Sequence, residues 1–410
     1  MDTADAVRWL HRRAGLGLTP ARAVSLAATD PEQALADLLD APADRDPWEG
    51  LDLDPQNGGR LVAIRGWIEW LLAAEDTFTA RRTLLLHGWL VSALDKVALP
   101  DLMVRQARLL ATEGGGSYPD LLRAISTDPA MLVYLDGETS TGASPNENYG
   151  RELLELFGLG VGRYDEDDVR AAAAALTGWV VRRRSGDSMF RPERHDATPQ
   201  TLLGVAGVND VGTVVDAIVA HPDHATFVAD RIVREYLGDP GALDGVTASV
   251  AAAYVDNERQ LDATIAHALR LGLDGAATRL VLAPMPWLAM SVRATEVDLA
   301  AVVGRVRSDL ERLGQLPMLP PNVGGWPRGA AWFGSDLLVA RSRVAATIAQ
   351  LARPDTEASV AAADGDLDRL AAVLCLPEPF GPSTTAVLTA ASTPSERLAL
   401  ALLSPEHLTA

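Results

Sequence analysis

The sequence predicts an all-α protein: a large, multi-helix, bundle-like domain with long ordered loops and at most a short β-hairpin near residues 180–203. Three observations carry this prediction. Ala and Leu recur throughout, β-branched runs are short, and apolar residues repeat with a period near 3.6. Helix starts are punctuated: Thr19-Pro20, Asp30-Pro31 and, more loosely, His221-Pro222 put a capping group before Pro, and Thr393 to Glu396 has capping-box spacing. Of 410 residues, 48% are hydrophobic and 22% charged, which suits a large core in which buried polar groups are the informative exceptions.

In chain order, helices are expected at 4–14, 20–28, 31–39, 60–74, 78–93, 100–113, 117–127, 148–159 and 166–177. The second half adds 211–220, 222–237, 245–255, 258–271, 286–294, 298–313, 335–351, 367–373 and 394–403. Two segments interrupt the period. Residues 179–203 alternate and contain Gly and Pro, the pattern of a short hairpin or an ordered loop. Residues 316–334, LPMLPPNVGGWPRGAAWFG, are too long and aromatic for a linker and predict a packed loop. Residues 354–366 are polar and Ala-rich, a candidate flexible connection between a main domain, 1–353, and a C-terminal helical segment, 354–410, packed on it as one continuous domain.

The formal charge of −19 repels nucleic acid and anionic membranes, so no nucleic-acid partner is expected; Arg182–Arg184 is the one basic run. No window of about twenty uncharged apolar residues is present, so no membrane span is expected. The start MDTADAVRWLHRRAGLG has no apolar signal region, which makes the cytoplasm the default, with export alongside a companion as the alternative. The single cysteine, Cys375, sits in an apolar run and reads as a buried structural thiol.

The stretch SPNENYGRELLELFGLGVGRYDEDDV, residues 144–169, carries most of the chemistry. At about 100° per residue, Asn148, Glu152 and Glu155 form one stripe on a helix that is apolar nearly all round. A buried carboxylate must be paired, protonated or bound to a metal. Two readings stay open: ion pairs with arginines such as Arg151, or a functional site. His87 lies in a helix apolar on nearly every face, either as a hydrogen-bonded core residue or as a ligand. His195 and Asp196 adjoin in an irregular segment, as a solvated turn or as site residues. His221 and His224 read as surface caps; His11, His267 and His407 read as incidental. Gly158, Gly160 and Gly162 follow a helix and read as its C-terminus and turn. Carboxylate and imidazole ligands that converged would suit a divalent metal: Fe, Mn, Zn or Mg.

These residues fall within recognisable segments. LHRRAGLGLTP, RRTLLLHGWLVSALDKV, DPAMLVYLDGETS, PNENYGRELLELFGLGVGRYDEDDV, FRPERHDATPQTLLG, FVADRIVREYL, LGQLPMLPPNVGGWPRGAAW and LLSPEH span the chain. The sequence resembles the bacterial family known as domain of unknown function 1800. The resemblance implies a largely helical protein and a companion from a second family that resembles sulfatases and alkaline phosphatases. Positions matching family motifs include Arg13, His87, Asn146, Glu147, Asn148, Arg151, Glu152, Glu155, His195, Asp196, Asn322 and Trp326. Departures are Gly150 where Ala is usual, Gly88 where Asn is usual, and residues 198–201 in place of a Gly-x-Lys-Thr run.

Two functions follow as expectations. The first is a metal-dependent enzyme, oxidative or hydrolytic, on an unknown small-molecule substrate. Its catalytic groups would be Glu152, His195, Asp196 and Arg151, and its metal ligands His87, Glu152, Glu155 and His195. Asn146, Glu147, Asn148 and Trp326 would bind the cofactor, and the 316–334 loop would cover the pocket with Trp326 and Trp332 lining it. Alternatively, Glu152 would be a general base with a raised pKa, held by Arg151 or Arg13. The second is a non-catalytic scaffold or binding partner of the sulfatase- or phosphatase-like companion.

Overall fold

The computed structural model describes the backbone of every residue except Arg183, and the side chains of all but 183 and 306–308; the Arg182–Arg184 run therefore lies partly outside the described residues. Helix takes up 62% of the chain. The strands form two separate antiparallel hairpins, Trp179–Arg182 with Asp187–Phe190 and Gln200–Leu202 with Val205–Val208. The predicted hairpin region thus holds two, and the second runs past residue 203.

Caps read from the sequence are made in the structure. Thr19 accepts from Arg22 N, Asp30 from Glu32 N and Gln33 N, and Thr393 from Glu396 N. At His221-Pro222 the helix starts later, at His224–Tyr236, with Asp223 before it. The expected 78–93 helix stops at His87, where Gly88 turns the chain. The 354–366 stretch is no simple linker. It contains the helix Glu357–Asp364, capped by Thr356, with Ala358, Ala361 and Ala362 buried. Its alanines, composition-neutral in the sequence, form the contact face. Helices Pro129–Tyr134 and Pro382–Ala390 were outside the expected set; both are short and begin at Pro.

Two hydrophobic cores organise the chain. One gathers Trp9, Trp89, Tyr118, Phe157, Tyr236 and Tyr254. The other gathers Trp48, Trp67, Trp287, Trp326 and Trp332 with the aliphatic side chains of the C-terminal helices. The helix Thr77–His87 lies between them: Phe78, Leu85 and Leu86 join the first core, Ala80 and Leu84 the second. This explains why it is apolar on nearly every face. It also carries Arg81, Arg82 and His87 into the interior.

The chain ends are joined. Leu280 and Ala410 exchange backbone hydrogen bonds of 2.8 Å, and Arg12, fully buried, donates to the carbonyls of Leu374, Glu406, His407 and Thr409. Cys375 is buried in this seam, and burial pushes its thiol up to about 11. Among the described residues, no helix is long and apolar enough to cross a membrane. Arg12→Ala should strand four carbonyls and destabilise the fold by about 3 kcal/mol or more. Urea denaturation checks the size, and limited proteolysis should cut within 374–410 first.

Candidate functional site

The motif helix changes geometry midway. Glu147–Glu152 is α-helical, and Leu153–Leu159 continues as a π-helix. Such segments are rare and tend to mark functional sites. The carbonyls of a last helical turn have no partner within the helix. Here buried side chains supply partners. Trp89 Nε1 and Arg231 Nη2 both donate to Leu156 O, at 3.1 and 3.4 Å, and Tyr118 OH donates to Phe157 O at 2.6 Å. His224 Nδ1 lies 2.9 Å from Gly158 O. A carbonyl only accepts, so Nδ1 carries the proton, and Nε2 accepts from Tyr254 OH at 3.0 Å. His224 is therefore a core histidine, not a surface cap; burial lowers its pKa to about 4. Gly160 and Gly162, both at positive φ, turn the chain out of the helix as expected.

The carboxylate stripe is half-buried. Tyr164 OH donates to Glu155, and its hydroxyl is pushed up to about 12 by burial and then by Glu155. Glu152 has its pKa raised by burial first and by Glu155 second, against Arg151. Arg151 itself grips exposed Glu166 through two bonds of 2.9 and 2.8 Å. Arg13 donates to Tyr236 O and Thr278 O on another face, so it does not hold Glu152.

Asn146 caps the motif helix, accepting from Tyr149 N, and donates to Leu135 O at 2.7 Å. Glu147 and Asn148 are exposed beside it. The His195 loop packs on the same turn, with Gly142 N donating to Arg194 O at 2.7 Å. Thr177 Oγ1 donates to Ala174 O and accepts from Asp196 N, so His195 Nδ1 donates to Thr177 O at 3.1 Å and Nε2 is the ring nitrogen left free of that contact. Asp196 accepts from Thr198 N, and that turn lowers its pKa.

His87 belongs elsewhere. Its ring packs between Trp67 and Trp326, and Nε2 accepts from Met318 N at 3.0 Å. Burial lowers its pKa to about 3, so it stays a neutral acceptor that anchors the 316–334 loop. Two glycines let the loop seat closely. A Cβ at Gly325, φ +84°, would meet Gly88 O at 2.1 Å, and one at Gly88 would meet Trp326 at 3.0 Å. An Asn in place of Gly88 would therefore press on Trp326.

Beneath the loop lies a narrow cleft, free volume about 60 Å³, lined by Arg81, Arg234, Glu235, Gln315, Trp326 and Arg328 among others. Arg81 is 2% exposed and bonds Glu235 at 2.8 Å, yet its Nε and Nη1 have no acceptor among the described residues. Trp326 Nε1 is likewise buried without one. Arg234 is paired with Asp230, whereas Arg328 forms no ion pair among the described residues. Each stranded donor costs about 1–3 kcal/mol. A few waters fit, at about 10–15 Å³ each, or one small acceptor group. Trp332 also lines this cleft. Arg81, Arg234 and Glu235 lie in the recognisable segments RRTLLLHGWLVSALDKV and FVADRIVREYL, but as charges on two separate helices they give no sign of a shared cleft.

The structure thus brings Asn146, His195 and Asp196 to one turn, Glu152, Glu155 and Arg151 to the adjoining helix, and His87 with Trp326 to the loop. Among the described residues, no three His, Cys, Asp or Glu side chains form a metal-ligand group. A model of the family described as "Protein of unknown function (DUF1800)" matches residues 9–409. No curated protein and no solved structure matches the chain.

His87, His224 and His11 have pKa values of about 3, 4 and 4 inside the fold, each lowered first by burial. Their unfolded value is near 6.5. The neutral form is favoured in the folded state, so their stabilisation is complete above pH 6.5 and is lost as pH falls towards 4 and then 3. Melting temperature should decline across that window. His87→Gln, which offers Met318 an acceptor that does not titrate, should flatten part of the slope.

Proposed function

The chain belongs to the DUF1800 family, and on that premise we propose that it is a helical binding module whose cleft under the 316–334 loop receives an oxyanion: a carboxylate, sulfate or phosphate group. One observation carries this reading. Arg81 and Trp326 both line this cleft, and each carries a buried donor without an acceptor among the described residues. In a chain of charge −19, a cleft bearing Arg81, Arg234 and Arg328 against one carboxylate, Glu235, runs counter to the mean field. Planar guanidinium groups suit carboxylate and phosphate geometry. The free volume admits a terminal oxyanion, not a whole substrate. This favours recognition over chemistry, and a sulfatase- or phosphatase-like companion would handle the same oxyanions.

A second reading, a metal-dependent enzyme, is supported by the half-buried pair Glu152 and Glu155. Two carboxylates completed by water suit Mg²⁺ or Mn²⁺. Fe or Zn prefers imidazole ligands, and His87 Nε2 is engaged by Met318 while His195 offers only Nε2. The metal would supply Lewis acidity, and Glu152, with its raised pKa, would move a proton. Stoichiometric Mn²⁺ in purified protein, lost in Glu152→Gln, would establish this reading; metal-free protein that gains no activity with Mg²⁺ or Mn²⁺ would remove it.

Calorimetry with sulfate and phosphate at low salt tests the oxyanion site. Arg328→Gln should weaken binding about fivefold, the effect of about 1 kcal/mol, and Arg81→Gln should abolish it. Glu235→Gln should tighten it, because the competing carboxylate is gone. Absence of binding in both wild type and Glu235→Gln would sink the proposal.

A further inference from the structure

A second cavity, free volume about 640 Å³, opens on the far side of the first helix, among Thr3–Arg13, Pro20–Leu26, Pro31–Leu39 and the turn at Ala74. Its size falls within the range of small-molecule sites, about 300–1,000 Å³. His11 lines it, is 9% exposed, and has a buried Nδ1 with no partner among the described residues. Arg22 and Arg293 line it too, and after burial they are what lowers the His11 pKa, to about 4, so both cations act on the imidazole. Arg293 donates to Ala74 O, and its Nε is buried without an acceptor among the described residues.

Three carboxylates, Asp37, Asp40 and Glu75, share the same lining. None of them forms an ion pair with Arg22 or Arg293 among the described residues; no such pair comes within 4.0 Å. Charges of both signs therefore line one space without direct ion pairs between them among the described residues, while Asp44 acts on Arg293 and Asp37 accepts from Gln33 Nε2. Leu18, Leu26 and Leu38 give it an apolar floor.

We propose that this cavity binds a small zwitterion with an apolar body, of the amino-acid or short-peptide class, its carboxylate towards Arg22, Arg293 and His11 and its ammonium towards Asp37, Asp40 and Glu75. The neutral imidazole contributes a hydrogen bond and no charge. The apolar floor takes the side chain, and the site is separate from the cleft under the 316–334 loop.

Calorimetry on the full chain with L-leucine, leucinamide and N-acetylleucine tests this. Leucine should bind, and each derivative, lacking one charge, should bind about tenfold more weakly or not at all, a loss of about 1.4 kcal/mol. Arg22 and Asp40 are exposed, so Arg22→Gln and Asp40→Asn leave the fold intact. Arg22→Gln should weaken leucine and leave leucinamide unchanged; Asp40→Asn should weaken leucine and leave N-acetylleucine unchanged. A merely structural role would move all three ligands together. No binding of leucine or of the dipeptide Leu-Leu, or equal binding of leucine and both derivatives, would overturn the proposal.

Discussion

The fold depends on buried guanidinium groups bonded to backbone carbonyls. Arg12 and Arg341 are fully buried and Arg13 is 2% exposed, and none of the three is paired with a carboxylate among the described residues. Desolvation lowers their pKa values to about 10, 10 and 9. Such burial costs several kcal/mol per ion, offset here by carbonyl dipoles at helix ends and in the loop that holds Thr278 and Leu282. Arg12 closes the C-terminal segment onto the first helix, Arg341 bonds Leu282 O, and Arg231 bonds the π-helix at Leu156 O. An acidic chain can keep such cations inside because the surrounding field favours them.

The same device decides what the recognisable motifs do. Asn146, Arg151, Glu155, His195 and Asp196 each meet a partner a short distance away, and His87 pins a loop through Met318. The π-helix, with its carbonyls taken by Trp89, Arg231, Tyr118 and His224, ties the motif helix to the His224–Tyr236 helix. That second helix carries Arg234 and Glu235 to the cleft under the loop. Residues of three recognisable segments, Arg81, Arg234, Glu235, Trp326 and Arg328 among them, line the cleft, whereas Glu152, Glu155, His195 and Asp196 are not among its lining.

Much of the architecture was legible because helix periodicity and N-caps are local. Thr19 and Asp30 act as the sequence implies; Thr393 caps Glu396 N, but the Glu396 side chain accepts from Ser392 N and does not close the capping box. The 357–364 helix was missed because an Ala-rich stretch has no apolar stripe to read; small side chains form its contact face. The motif helix was read as one α-helix, since a π-helix changes hydrogen bonding and not composition. His224 looked like a surface cap because its partners, Gly158 and Tyr254, are distant in sequence. Arg81 opens one of the recognisable segments but was not read as a site residue for the same reason: only the meeting of the 77–87 helix, the 224–236 helix and the loop puts it at a cleft.

The most direct test of the central claim is a crystal structure with selenate, using the anomalous signal of selenium. The account predicts a peak between Arg81 and Trp326 Nε1, beneath the 316–334 loop, that weakens in Arg328→Gln. Selenate found only at exposed arginines, with the Arg81 donors satisfied by protein groups after a shift of the loop, would contradict it.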